Sequence, residues 1–144
     1  MIDAKRLPGW RARLAETLVT DPTKRFAWGT HDCFLGLIVP AVIALIGEDV
    51  GVPYRGKYET EAGAKAVLKG IGFADLAEAF AAHFPEIPVA QAHIGDIAAI
   101  PTEIEGDIFG VGLGVVTGER ITVLTPNGSA TVKLLRATRA FRIG

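Results

Sequence analysis

The chain has 144 residues, of which 49% are apolar and 22% charged, with a formal net charge of -1 and an isoelectric point near 6.3. That length fits one domain with one core, and that composition excludes disorder over any large part of the chain. The near-neutral charge excludes the global basic field of a dedicated nucleic-acid binder, and a lone cysteine, Cys33, excludes an internal disulfide and with it a disulfide-stapled secreted scaffold.

The first periodic segment runs from Pro8 to Val19. Trp10, Leu14 and Leu18 recur at helical spacing, Pro8 suits the first turn and Asp21-Pro22 ends the segment. Charges at Asp3, Lys5, Arg6, Arg11 and Arg13 interrupt this region, so it does not read as a signal peptide. Phe26-Ala-Trp-Gly-Thr-His-Asp32 then leads into Cys33 to Ile46, which is apolar on every side and is expected to be a helix at the centre of the domain. Pro40 and the β-branched Ile38, Val39, Val42 and Ile43 predict a kink near Pro40. The run is too short to span a bilayer, so membrane insertion is not expected.

Glu59 to Lys69 is Ala-rich and predicted helical, with Gly70 or Gly72 as its cap, and Phe73 to Phe84 is a further helix closed by Pro85. The chain then changes character. Gly95 to Ile100, Val111 to Thr117, Arg120 to Thr125, Ala130 to Leu135 and Ala140 to Ile143 are short β-rich runs, and Pro126-Asn127-Gly128 is a hairpin signal. Helices followed by antiparallel strands predict an α+β fold, a meandering sheet of about five strands backed by the buried helix.

Reactive side chains concentrate at Trp28-Gly29-Thr30-His31-Asp32-Cys33, a loop-to-helix junction. Cys33 falls in the first turn, where backbone donors and the macrodipole favour a thiolate, and Asp32 or Thr30 is expected to cap the helix. A cysteine that merely fills core space is the competing reading. Arg136, Arg139 and Arg142 read as solvated strand edges. Glu103, Glu105, Asp107 and Asp96 match no calcium loop and read as a solvated acidic loop. Gly110-Val-Gly-Leu-Gly114 is not followed by a helix that could hold a pyrophosphate, so it is read as close strand packing. Trp10 and Trp28 are expected in the core or over a cleft. No metal or cofactor is called for.

Several of these features occur together in a recognisable order: Trp10 and Arg13 in a first helix, Phe26 to Cys33 opening a buried helix, Tyr58 before an Ala-rich helix, Gly95-Asp96 opening a strand, and Phe141-Arg-Ile-Gly144. This order resembles an uncharacterised phage-encoded family that is itself similar to NlpC-type, papain-like cysteine peptidases. The resemblance implies a papain-like fold, Cys33 in the place of the nucleophile that attacks peptidoglycan stem peptides, and a cleft bordered by Trp28 and Asp96. It also implies a general-base histidine on the strand after Gly95-Asp96, where this chain has Gly112. Without that histidine, deprotonation of the thiol and protonation of the leaving amine both lose their agent. His31 and His93 are the candidate substitutes; His83 reads as a helix-end residue.

Three functions follow. The first is a phage or prophage tail-associated protein with a degenerate peptidase domain, made in the cytoplasm of a bacterial host and built into the virion, with tail proteins as partners. The second is a working peptidase or amidase on peptidoglycan peptides with an unconventional base. The third is a small intracellular binding module with Cys33 as core.

Overall fold

The computed structural model describes residues 2–19, 24–101 and 111–144. Asp21-Pro22, Glu103, Glu105, Asp107 and Gly110 lie outside the described residues. The helical half comprises α1 (Trp10–Thr17), a π-helical segment (Cys33–Ile38) running directly into α2 (Val39–Ile46), α3 (Glu61–Ile71) and α4 (Leu76–Ala81). The strands are β1 (Glu86–Ile87), β2 (Ile97–Pro101), β3 (Val111–Val116), β4 (Arg120–Thr125), β5 (Gly128–Lys133) and β6 (Arg139–Phe141). The fold is α+β with an antiparallel sheet, and no helix among the described residues is long and apolar enough to cross a membrane.

The central helix is where the residues are most uniformly apolar. Ile38, Val42, Leu45 and Ala41 are fully buried; α1 packs on α2, the π-helical segment packs on β3 and β4, and α4 lies against β3 and β6. The expected kink at Pro40 takes a more specific form. A prolyl residue cannot donate to the carbonyl four positions back and its ring crowds that carbonyl. Here the chain reaches Pro40 through wider π turns, with the Val39 amide directed to the Phe34 carbonyl five residues back, and regular α geometry resumes around it.

The sheet order is β1-β6-β2-β3-β4-β5, which corrects the expected meander in two ways. The last strand crosses over to pair with β2 through Ile97, Ala98 and Ala99, and a two-residue strand, Glu86–Ile87, pairs beyond it with Phe141 and Ala140. Strand alternation sorts side chains onto two faces. Ile97, Ala99, Leu113, Val115 and Phe141 share one apolar cluster with the central helix, while Ala98, Ile100, Val116 and Ile121 form a separate cluster on the opposite face with Val132 and Leu134.

The two ends of the chain meet at one side chain. The Arg6 guanidinium donates to the carbonyls of Ile143 (2.9 Å) and Ile94 (2.7 Å) and to Asp96 Oδ1 (3.0 Å). Its carbon lies 4.3 Å from the Trp10 ring centroid. Asp96, 2% exposed, also accepts from the amides of His93 and Ile143, so every oxygen of this buried carboxylate is matched.

Candidate functional site

The site is built on the turn Ala27 to His31, closed by paired hydrogen bonds between the backbones of those two residues (2.9 and 3.1 Å). At its tip Gly29 has φ +89° and backs directly onto the Tyr58 carbonyl, where a Cβ would collide; only glycine satisfies both the angle and the contact. That contact seats Tyr58 against the turn. Asp32 follows in extended conformation and caps the central helix: its Oδ1 accepts from the amides of Phe34 (3.0 Å) and Leu35 (2.8 Å). Its Oδ2 accepts from the Gly29 amide (3.0 Å) and from the Tyr58 hydroxyl (2.6 Å).

Asp32 is 1% exposed, so these four donors take the place of its water shell. Burial, and then the bond to Asp32, push the Tyr58 hydroxyl well above its ordinary value of 10.0. At neutral pH it keeps its proton and acts as a donor. Of the two residues expected to cap the helix, Asp32 does so, while Thr30 is exposed and its amide turns back to the Ala27 carbonyl.

Cys33, the next residue, is half-buried and lines a cavity of about 350 Å³. Trp28 and Tyr58 form one wall, and Leu113 of β3 and Leu124 of β4 another. Trp28 is steadied edge-on by Phe26 at 5.1 Å. The lining is dominated by apolar side chains, with Glu61, Thr125 and Arg136 supplying polar atoms besides Asp32 and Tyr58. The helix start meets only part of the expected support for a thiolate, because the Phe34 and Leu35 amides are both taken up by Asp32.

None of the three histidines is among the described residues lining this cavity. His31 lies along the helix body: a Cβ at Gly36 would come within 2.6 Å of His31 Nδ1 and 3.0 Å of its Cα, so the missing side chain at Gly36 makes room for it. His93 is exposed and precedes the other end of β2, its amide bound to Asp96 (2.9 Å). The cavity meets β2 at Ile100 and Pro101, and the strand from Ile97 to Ile100 alone covers about 10 Å. His83 stands edge-on to Phe73 at 6.5 Å, away from Cys33's cavity. Asp96, expected at the cleft border, instead anchors Arg6 at that same far end of β2.

Gly112 does border the cavity, but its direction differs from the expectation. It is the cross-strand partner of Ile100, and Ile100 packs on the face of the sheet away from the central helix. Cross-strand partners project to the same face, so a side chain at 112 would point away from Cys33. The flanking positions that face the helix are Val111 and Leu113.

Tyr58, Arg136 and the Leu113–Leu124 wall were not picked out as site residues by sequence reasoning. Tyr58 is 26 positions from Asp32, and no local spacing connects the two. A family model described as "Domain of unknown function (DUF6950)" matches residues 5–143, and the chain belongs to that family. Neither the curated proteins nor the solved structures yield a match.

Proposed function

We propose that this member of the DUF6950 family is a phage or prophage tail-associated protein with a papain-like domain that has lapsed as a peptidase and works by binding, in tail assembly or at the tail tip. The observation that carries the reading is the residue at the expected general-base position. Cys33 sits at a capped helix start beside a ligand-sized cavity, as a nucleophile would, yet position 112 is glycine and none of the three histidines is among the described residues that line the cavity. Amide hydrolysis needs a group to take the thiol proton and return it to the departing amine. A glycine at 112 does neither, and the Tyr58 hydroxyl is already committed to Asp32. What the cavity retains is shape and apolar surface, which serve binding. The association with phage tails rests on the order of motifs from Trp10 to Gly144.

The test is digestion of purified muropeptides by the protein and by Cys33→Ala, followed by mass spectrometry. No release of stem-peptide fragments by either is expected; release that disappears in Cys33→Ala would overturn the reading in favour of a working peptidase. Proteomics of purified virions from a phage that encodes the chain tests the location: the protein is expected in the particle, and its confinement to the host lysate counts against the tail assignment.

A further inference from the structure

The cavity occupies a fork in the sheet. β3 and β4 pair only through Val115–Thr122 and Val116–Ile121 among the described residues, beyond the turn closed by the Thr117 amide and the Arg120 carbonyl (2.9 Å). Continued in register past Gly114 and Val123, which still lie close together, the ladder would join Leu113 to Leu124 and Gly112 to Thr125. These four residues, with Val123, instead line the cavity. On its outer side β4 remains paired with β5 all the way to Thr125–Gly128, so the β4–β5 hairpin leaves β3 as a unit.

The open edges have a defined polarity. In an antiparallel ladder, alternate residues direct their N–H and C=O to the same neighbour. Thr117 and Val115 of β3 face β4, so Leu113 does too; the intervening Val116 is bonded to β2's side through Asp96 and Gly95. On β4, Thr122 faces β3 and so does Leu124. Two main-chain edges therefore look into the fork, in a region where Leu113 is 1% exposed. Buried main-chain groups call for partners. The cavity is also lined from both faces of the sheet, by Trp28 and Tyr58 on the helix side and by Val132 and Arg136 on the other. A strand, with side chains projecting alternately up and down, fits such a two-sided space; a ligand lying on one face does not need it.

We propose that this fork is the binding site for an extended peptide segment with apolar side chains and a free terminal carboxylate. Its main chain pairs with the Leu113 and Leu124 edges, its side chains fill the space towards Trp28 on one face and Val132 on the other, and its carboxylate meets the Arg136 guanidinium. This is strand addition inside a sheet rather than at its rim. It deepens the binding reading above by naming the class of partner.

The experiment titrates the full chain with N-acetyl-Val-Leu-Val bearing a free carboxylate, its C-terminal amide, and the same acid N-methylated at the central residue. Amide chemical shifts and calorimetry are the readouts. The acid is expected to saturate and to shift the amides of Leu113 and Leu124, and the N-methylated peptide to bind about tenfold more weakly through loss of a main-chain hydrogen bond. Arg136→Ala, an exposed position, should abolish the preference for acid over amide. Equal binding of the N-methylated peptide, shifts confined to another part of the molecule, or no saturation at millimolar concentration would overturn the assignment. Binding accompanied by cleavage that depends on Cys33 would remove the lapsed-peptidase reading and leave the fork site standing.

Discussion

Tyr58→Phe isolates the bond on which the site's geometry depends. The substitution keeps the ring, so packing is preserved and only the hydroxyl's 2.6 Å bond to Asp32 Oδ2 is lost. A hydrogen bond to a charged acceptor contributes about 1.5–3 kcal/mol. Because Oδ2 keeps the Gly29 amide, no oxygen of the buried carboxylate is left bare, and the cost belongs at the low end, about 1.5–2 kcal/mol. For a domain of this size that is a substantial share of total stability and lowers the midpoint of urea unfolding by roughly 1 M. Tryptophan fluorescence follows the transition, Trp28 lying in the same turn. A double-mutant cycle with Asp32→Asn then measures the coupling. If Tyr58→Phe costs less than about 0.5 kcal/mol, or if the two substitutions simply add, the pair is not a stabilising unit and the account of the site is wrong.

Other perturbations read different parts of the same framework. Tyr58 and Tyr54 are both held above the ordinary value of 10.0 by burial, so above about pH 10 the folded state retains protons that the unfolded chain releases. Stability is therefore fully present below pH 10 and falls as pH rises beyond it, and urea titrations in alkaline buffer should show a shallower fall for Tyr58→Phe. Arg6→Ala leaves Asp96 buried without its counter-charge and should cost about 3–5 kcal/mol, while Arg6→Lys, which cannot present the same fork, should recover only part of that in thermal melts followed by circular dichroism. Gly29→Ala forces a Cβ against the Tyr58 carbonyl at a positive φ. It should destabilise by about 2–3 kcal/mol; a neutral result would mean the turn does not bear on Tyr58.

The parts of this molecule that follow from local chemistry were readable, and those that follow from register were not. The central helix announced itself because residues apolar on every side have only one place to go, and β4 matched its expected span from Arg120 to Thr125 because alternation defines a strand at both ends. Asp32 as a cap was legible for the same reason, since its donors lie two and three residues ahead. The π turns before Pro40 were not, because apolar uniformity hides the pitch of a helix. β1 has only two residues, Glu86 and Ile87, bracketed by Pro85 and Pro88, too short to show a period. The position of β6 beside β2 rather than β5 depends on pairing between distant segments. The direction of position 112 hinged on that same information: one residue of register decides which face a side chain joins. Likewise the divergence of β3 from β4 leaves no trace in either strand's composition.

Arg6 gives the assembly of this domain a fixed order of completion. Its three acceptors belong to Ile94, Asp96 and Ile143, the last 137 positions away, so during synthesis on the ribosome the guanidinium must wait until Ile143 has emerged before its last acceptor exists. Until then the Asp96 carboxylate also lacks the Ile143 amide, and the outer part of the sheet lacks β6. The helices and the pairing of β2 with β3 can gather earlier, but the latch that joins Arg6, Asp96 and Ile143 closes only after β6 has been made.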